Sequence, residues 1–153
     1  MRRRRWVTAG MVGAVAALTI LAAGPASALA PGNVAAGTPL WSPSILKASG
    51  SFTNSVTTSS ATYSYTLQLV RTTTTTKPSC GTSGCVTGGS QVRLNTVTSS
   101  VSVAAGGIGT IPVLSVKCTT SSTARLYWSW LKVADSSGNV VYSTSSALSG
   151  KLC

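Results

Sequence analysis

"TYSYTLQLVR", Thr62 to Arg71, decides how the rest of the chain is read. Tyr63, Tyr65, Leu67 and Leu69 share one parity, and Thr62, Ser64, Thr66 and Gln68 share the other. Successive side chains of a strand point to opposite faces. This alternation therefore predicts a strand with one face on a core and one in water. Working outward, "SFTNSVTT" (Ser51 to Thr58) repeats the pattern more weakly through Phe52 and Val56. "QVRLNTVTSSVSV" (Gln91 to Val103) begins with Val92 and Leu94 on one parity, then moves to Val97, Val101 and Val103 on the other. Such a switch predicts two strands, or one strand with a bulge near Ser99 and Ser100. "TIPVLSVKC" (Thr110 to Cys118) is apolar on both parities, as expected of a central strand covered on both faces. Ala124 to Ala134 and Val140 to Ser146 complete the set.

The punctuation agrees. "AAGGIG" (Ala104 to Gly109) and "DSSGN" (Asp135 to Asn139) are turn sequences. Gly138 and Asn139 can supply the positive φ of a tight hairpin loop. Beyond residue 30 there is no sustained helical period, and the chain has no Glu. About seven short strands at regular spacing predict an all-β fold, a small antiparallel β-sandwich. It would be immunoglobulin-like in general architecture only. Cys118, the Trp128/Trp130 pair and Cys153 follow the immunoglobulin order, but too few residues separate the cysteines to hold that family's intervening strands.

The first residues carry a different message. Arg2 to Arg5 form a basic head, Val7 to Ala23 is uncharged and rich in Ala, Val and Leu, and Ala26-Ser27-Ala28 offers small side chains for a peptidase pocket. That is the layout of a secretory signal peptide, with cleavage expected after Ala28. The paired arginines leave the general and the twin-arginine export routes both open. The predicted organisation is a signal peptide at 1–28, an irregular arm at 29–50 carrying Pro31, Pro39 and Pro43, and a single sandwich domain at 51–153. No second long apolar run follows, so no membrane span is expected in the exported part. "TTTTTKPS" (Thr72 to Ser79) either finishes the preceding strand or forms an exposed loop.

Cys80, Cys85, Cys118 and Cys153 form an even set in a chain marked for an oxidising compartment, which predicts two disulfides. Three pairings exist, and the favoured one is Cys80–Cys85 with Cys118–Cys153. "CGTSGC" places two glycines inside the shorter loop, which lets the chain turn back on itself. A redox dithiol normally has two residues between its cysteines, where this loop has four. A four-cysteine zinc site needs two close pairs, and the sequence has one.

Composition narrows the chemistry further. The chain has no His and no Glu, and Asp135 is its only acid. Two-carboxylate glycoside hydrolysis and the Ser-His-Asp triad are excluded. No catalytic residue, metal site or cofactor is assigned. "SILK" (Ser44 to Lys47) spells Ser-x-x-Lys, a nucleophile pattern of penicillin-binding enzymes, but none of their further polar motifs accompanies it. Asp135 heads a turn sequence and is expected to accept hydrogen bonds from turn amides.

The remaining candidates are surface features. Residues 29–153 carry eight Lys and Arg against one Asp, a net charge of +7 spread singly along the chain. A diffuse positive field suits an anionic cell-wall polymer or polysaccharide, and it lacks the clustering of a nucleic-acid groove. Leu126, Trp128, Trp130 and Lys132 share one parity of their strand, opposite Tyr127, Ser129, Leu131 and Val133. The tryptophans are either core, or an exposed platform for sugar rings that ends in Lys132 and that Trp41 in the arm could extend.

The expected function is thus a small secreted, basic, disulfide-bonded, non-catalytic module that binds or supports structure outside the cell or in its envelope. One alternative is a carbohydrate-binding module using Trp128, Trp130 and Lys132. The other is a secreted inhibitor or toxin-like effector presenting the "CGTSGC" loop.

Overall fold

The computed structural model describes residues 29–153; the signal-peptide expectation for 1–28 lies outside the described residues. The described residues form antiparallel β-structure with no helix. The strands are β1 (Gly32–Ala36), β2 (Leu40–Ser42), β3 (Ile45–Thr53), β4 (Ala61–Thr72), β5 (Cys80–Gly81) and β6 (Gly84–Cys85). They continue with β7 (Gln91–Val103), β8 (Ile108–Lys117), β9 (Arg125–Ala134), β10 (Val140–Thr144) and β11 (Leu148–Gly150).

Two sheets face each other. In the first, β3 is central: β8 runs along one side, while β1 and β2 share the other, at opposite ends of β3. In the second the order is β10–β9–β4–β7, with β11 beside the other end of β9. Because β1/β2 and β10/β11 are each one lane broken in two, the eleven segments occupy three lanes in one sheet and four in the other, with β5–β6 as a separate small hairpin.

The alternation that opened the sequence reading sets the core. Tyr63, Tyr65, Leu67 and Leu69 on β4 and Tyr127, Leu131 and Val133 on β9 meet Leu46, Ala48 and Phe52 on β3 and Ile111 and Leu114 on β8, all buried. Fully burying one such side chain stabilises the fold by about 1.5–3 kcal/mol. Phe52 lies opposite Gly109, where any Cβ would run into its ring. A polar pin closes one end of this core. Buried Asn54 donates through Nδ2 to the carbonyls of Val103, Ala104 and Ser59, and its Oδ1 accepts from the Val56 amide and, at 2.7 Å, from the Tyr63 hydroxyl. That one amide ties the β3–β4 loop to the β7–β8 turn.

Three expectations need correction. Residues 29–50 are not an irregular arm: β1 and β2 pair with β3, and the proposed boundary after residue 50 falls inside β3. Pro31 and Pro39 are buried at the ends of these short strands, and Pro43 with Ser44 (φ 63°) makes the β2–β3 turn. The strand at Thr110–Cys118 is not central but an edge. Its apolar residues fall on both parities because Pro112 and Val113 together oppose Ser49, a bulge that flips the phase. In β7 the bulge lies at Arg93–Asn95 rather than at Ser99–Ser100, and β7 is one continuous strand.

Candidate functional site

The outer face of the four-lane sheet gathers most of the residues singled out by sequence. On β9, Leu126, Trp128, Trp130 and Lys132 do share this face, since the opposite parity supplies the core. Trp128 and Trp130 nevertheless do not form an exposed platform. Trp130 is 0% exposed and Trp128 9%, and neither indole N–H has a hydrogen-bond partner among the described residues.

The cover over Trp130 is the β5–β6 hairpin. Cys80 and Cys85 are bridged with Cα atoms 3.9 Å apart, and Cys85 packs on Trp130 and Val70 in a small second core outside the sheet. A disulfide against an indole is a favourable sulfur–aromatic arrangement. Three side chains hold the hairpin down. Gln68 Oε1 accepts from the Cys85 amide at 3.1 Å, Arg93 donates to the Cys85 carbonyl, and Gln91 Oε1 accepts from the Ser79 amide. Only the tip, Thr82 and Ser83, is exposed. The Thr72–Ser79 segment does both things expected of it: Thr72 ends β4, and Thr73 to Lys77 form an exposed loop.

Beyond the hairpin the face is open. Tyr142 on β10 pairs with Lys132 on β9, Lys132 pairs with Thr66 on β4, and Thr66 pairs with Thr98 on β7. One row thus crosses all four lanes with an aromatic ring, an ammonium and two hydroxyls. At the usual spacing of neighbouring strands it spans about 14 Å. Tyr142 is 43% exposed, and its ring leans on Trp130 with centroids 6.4 Å apart. The Thr66 and Thr98 hydroxyls are hydrogen-bonded at 3.1 Å. Sequence reasoning placed Lys132 here but missed Tyr142, because nothing local says that a residue ten positions later lies beside it.

The other candidates sit elsewhere. Trp41, on β2 of the other sheet, is partly buried against the core between the two sheets. Ser44 occupies the β2–β3 turn and Lys47 lies on β3, so Ser-x-x-Lys is not on a helix. Asp135 is 7% exposed in the β9–β10 turn. Its Oδ1 accepts from the Ser137 and Asn139 amides at 2.8 Å each, and its Oδ2 from Asn139 Nδ2. Burial pushes its pKa up, but hydrogen bonds from the Asn139 side chain and from turn amides outweigh it and hold the carboxyl below its ordinary value. Gly138 supplies the positive φ, at 86°.

At the far end, Cys118 is bridged to Cys153 with Cα atoms 5.0 Å apart. The main-chain oxygen of Cys153 accepts from Arg71 and Arg125, and its amide donates to the Tyr127 hydroxyl at 2.7 Å. Burial, then the neighbouring Arg125 charge, lower the pKa of Arg71. No group of three or more His, Cys, Asp or Glu is arranged to hold a metal among the described residues, and no described helix is long and apolar enough to cross a membrane.

No family model matches the chain, and no curated protein matches it. The solved structures that are similar in part include the following two. The chain is 16% identical to Bacteroides uniformis β-glucuronidase 2, solved covalently bound to cyclophellitol-6-carboxylate aziridine, with a TM-score of 0.41 over 71% of this chain and 11% of that one. It is 14% identical to R. palustris CsgH, with a TM-score of 0.35 over 76% of this chain and 87% of that one. The chain thus spans about a tenth of the glucuronidase, and the chemistry of the open face rests on this chain's own residues.

Proposed function

We propose that the protein is an exported, non-catalytic binding module that uses the open half of its four-lane sheet to hold an anionic polysaccharide or cell-wall polymer. The observation that carries this reading is the row Tyr142–Lys132–Thr66–Thr98. An exposed ring can stack on a sugar, an ammonium can meet a phosphate or carboxylate, and hydroxyls can complete hydrogen bonds to the chain between them. The carbohydrate alternative therefore moves from the buried Trp128/Trp130 pair to Tyr142, with Lys132 kept. The two disulfides support a life in an oxidising compartment. Binding rather than turnover is supported by Asp135, the chain's one acid, whose two oxygens are already engaged within its turn.

The test is sedimentation with purified cell walls carrying their anionic polymer and with the same walls stripped of it. The intact walls should retain the protein, the stripped walls should retain much less, and Lys132→Ala and Tyr142→Ala should each weaken retention several-fold. Raising salt from about 0.05 to 0.5 M should reduce the Lys132 contribution by screening. Equal retention on both wall preparations, or indifference to both substitutions, would sink the reading.

A further inference from the structure

A four-edged sandwich exposes four rows of unpaired backbone amides and carbonyls, and three of these rows are interrupted. The β1/β2 lane is broken at residues 37–39, which include Pro39. The β10/β11 lane is broken at residues 145–147. On β8, Pro112 and the bulge at Pro112–Val113 disturb the edge. These are recognised ways of keeping an edge from pairing with another chain.

The fourth edge, β7, has none of them over its longer part. It is 13 residues long and ends the order β10–β9–β4–β7. From Thr96 to Val103 its register with β4 runs without a shift, and this stretch contains no charged residue, Pro or Gly. The neighbouring β8 does not pair with it. A long, regular, uncharged edge of this kind is a template for strand addition.

We infer that β7 is a homodimer seam, pairing antiparallel with β7 of a second copy about a two-fold axis through Ser99. The sequence selects that occupant. Pairing about Ser99 sets Val97 against Val101 of the second copy, Thr98 against Ser100, and Thr96 against Ser102. Each pair has the same parity, so Val97 and Val101 meet on the core-side face, where Ser99 meets its own copy on the axis, and the Thr and Ser pairs meet on the outer face. Both are favourable cross-strand pairs. Moving the axis one residue, to Ser100, keeps one Val pair, Val97 against Val103, but sets Val101 against Ser99 and so breaks the like-with-like match. An isologous pair also closes on itself, consuming the long uninterrupted edge found among the described residues of each copy.

Charge gives the seam a signature. Residues 29–153 carry a net +7, so two copies repel, while the seam itself holds no charge between Thr96 and Val103. Added salt screens the repulsion without weakening backbone pairing, so dimerisation should strengthen with salt. Wall-polymer binding through Lys132 should move the other way, which keeps the two proposals separable.

Sedimentation of the purified protein over a concentration and salt series should show a monomer–dimer equilibrium shifted to dimer by salt. Thr96→Lys with Ser102→Lys places lysines opposite one another across the axis, and the matching Glu pair places carboxylates there. Positions 96 and 102 are exposed, so both variants should fold. Each variant alone should be monomeric, and a mixture of the two should form a heterodimer. Ser99→Cys should cross-link to itself under mild oxidation, since directly opposed Cα atoms lie about 4.5–5.5 Å apart. Ser100→Cys should cross-link far less. A monomer at every concentration and salt, assembly beyond the dimer, or preferential cross-linking at position 100 would each overturn the seam as drawn.

Discussion

The Cys85 amide donates to the side-chain oxygen of Gln68 at 3.1 Å, and this contact latches the Cys80–Cys85 hairpin over the outer face of the sheet. Gln68 itself lies directly across from Trp130 in the β4–β9 ladder. The latch is therefore centred on the tryptophan it covers.

Opening the hairpin should expose Trp130. Replacing Cys80 and Cys85 together by Ser removes a six-residue ring, worth about 2 kcal/mol on the loop-entropy model. Tryptophan emission should shift to the red and become accessible to quencher, because Trp130 is 0% exposed in the latched form. Gln68→Ala should shift it in the same direction by less. Unchanged quenching in the double variant would mean that the hairpin stays down without its bridge.

Removing the Asn54 amide should be among the most destabilising single changes available. Asn54→Ala deletes five hydrogen bonds, two of them to the carbonyls of Val103 and Ala104 at the start of the β7–β8 turn. Leaving buried groups unpaired costs about 1–3 kcal/mol each where water cannot reach them. Denaturant unfolding should give a loss of about 3 kcal/mol for Asn54→Ala and about 1 kcal/mol for Tyr63→Phe, which leaves the Val56 contact in place. Equal losses for the two would place the weight on the tyrosine instead.

Asp135 should link stability to acid. Its folded pKa lies below its ordinary value. The stabilisation it contributes is thus complete above the unfolded value of about 4 and is lost as pH falls through the folded value. Unfolding free energy measured from pH 7 to pH 2 should fall below about pH 4. Asp135→Asn should be less stable at neutral pH and should flatten this fall, because no other acidic side chain is present in the sequence. An identical acid profile in the variant would refute the assignment.

The Cys118–Cys153 bridge should matter more than the hairpin bridge. It closes a ring of 36 residues, worth about 4 kcal/mol on the same model. Cys118→Ser with Cys153→Ser should also loosen the three side chains that hold residue 153, namely Arg71, Arg125 and Tyr127. Hydrogen exchange should then rise in β11 and at the Arg125 end of β9 before it rises in β4. Uniform protection across the sheet would show that the arginines alone suffice.

Several features of this protein were legible in the chain because they are local. The two faces of β4 and β9 follow from period two, and the structure keeps the faces read from the sequence on both strands. The Asp135–Asn139 turn follows from the residues that build it, and the close cysteine pair from two glycines inside a short loop. Alternation states that a strand has two faces, but it carries no information about what lies over each. Trp130 is covered by residues 45 or more positions earlier that fold back as a bridged hairpin. Tyr142 stands beside Lys132 only through the register of β10 on β9. The short strands of 29–50 hold their form by pairing with β3, and three to five residues are too few to declare a period. Whether a strand is central or an edge, covered or open, depends on which neighbour the chain brings alongside. That is a property of long-range pairing, so only the tertiary structure decided it.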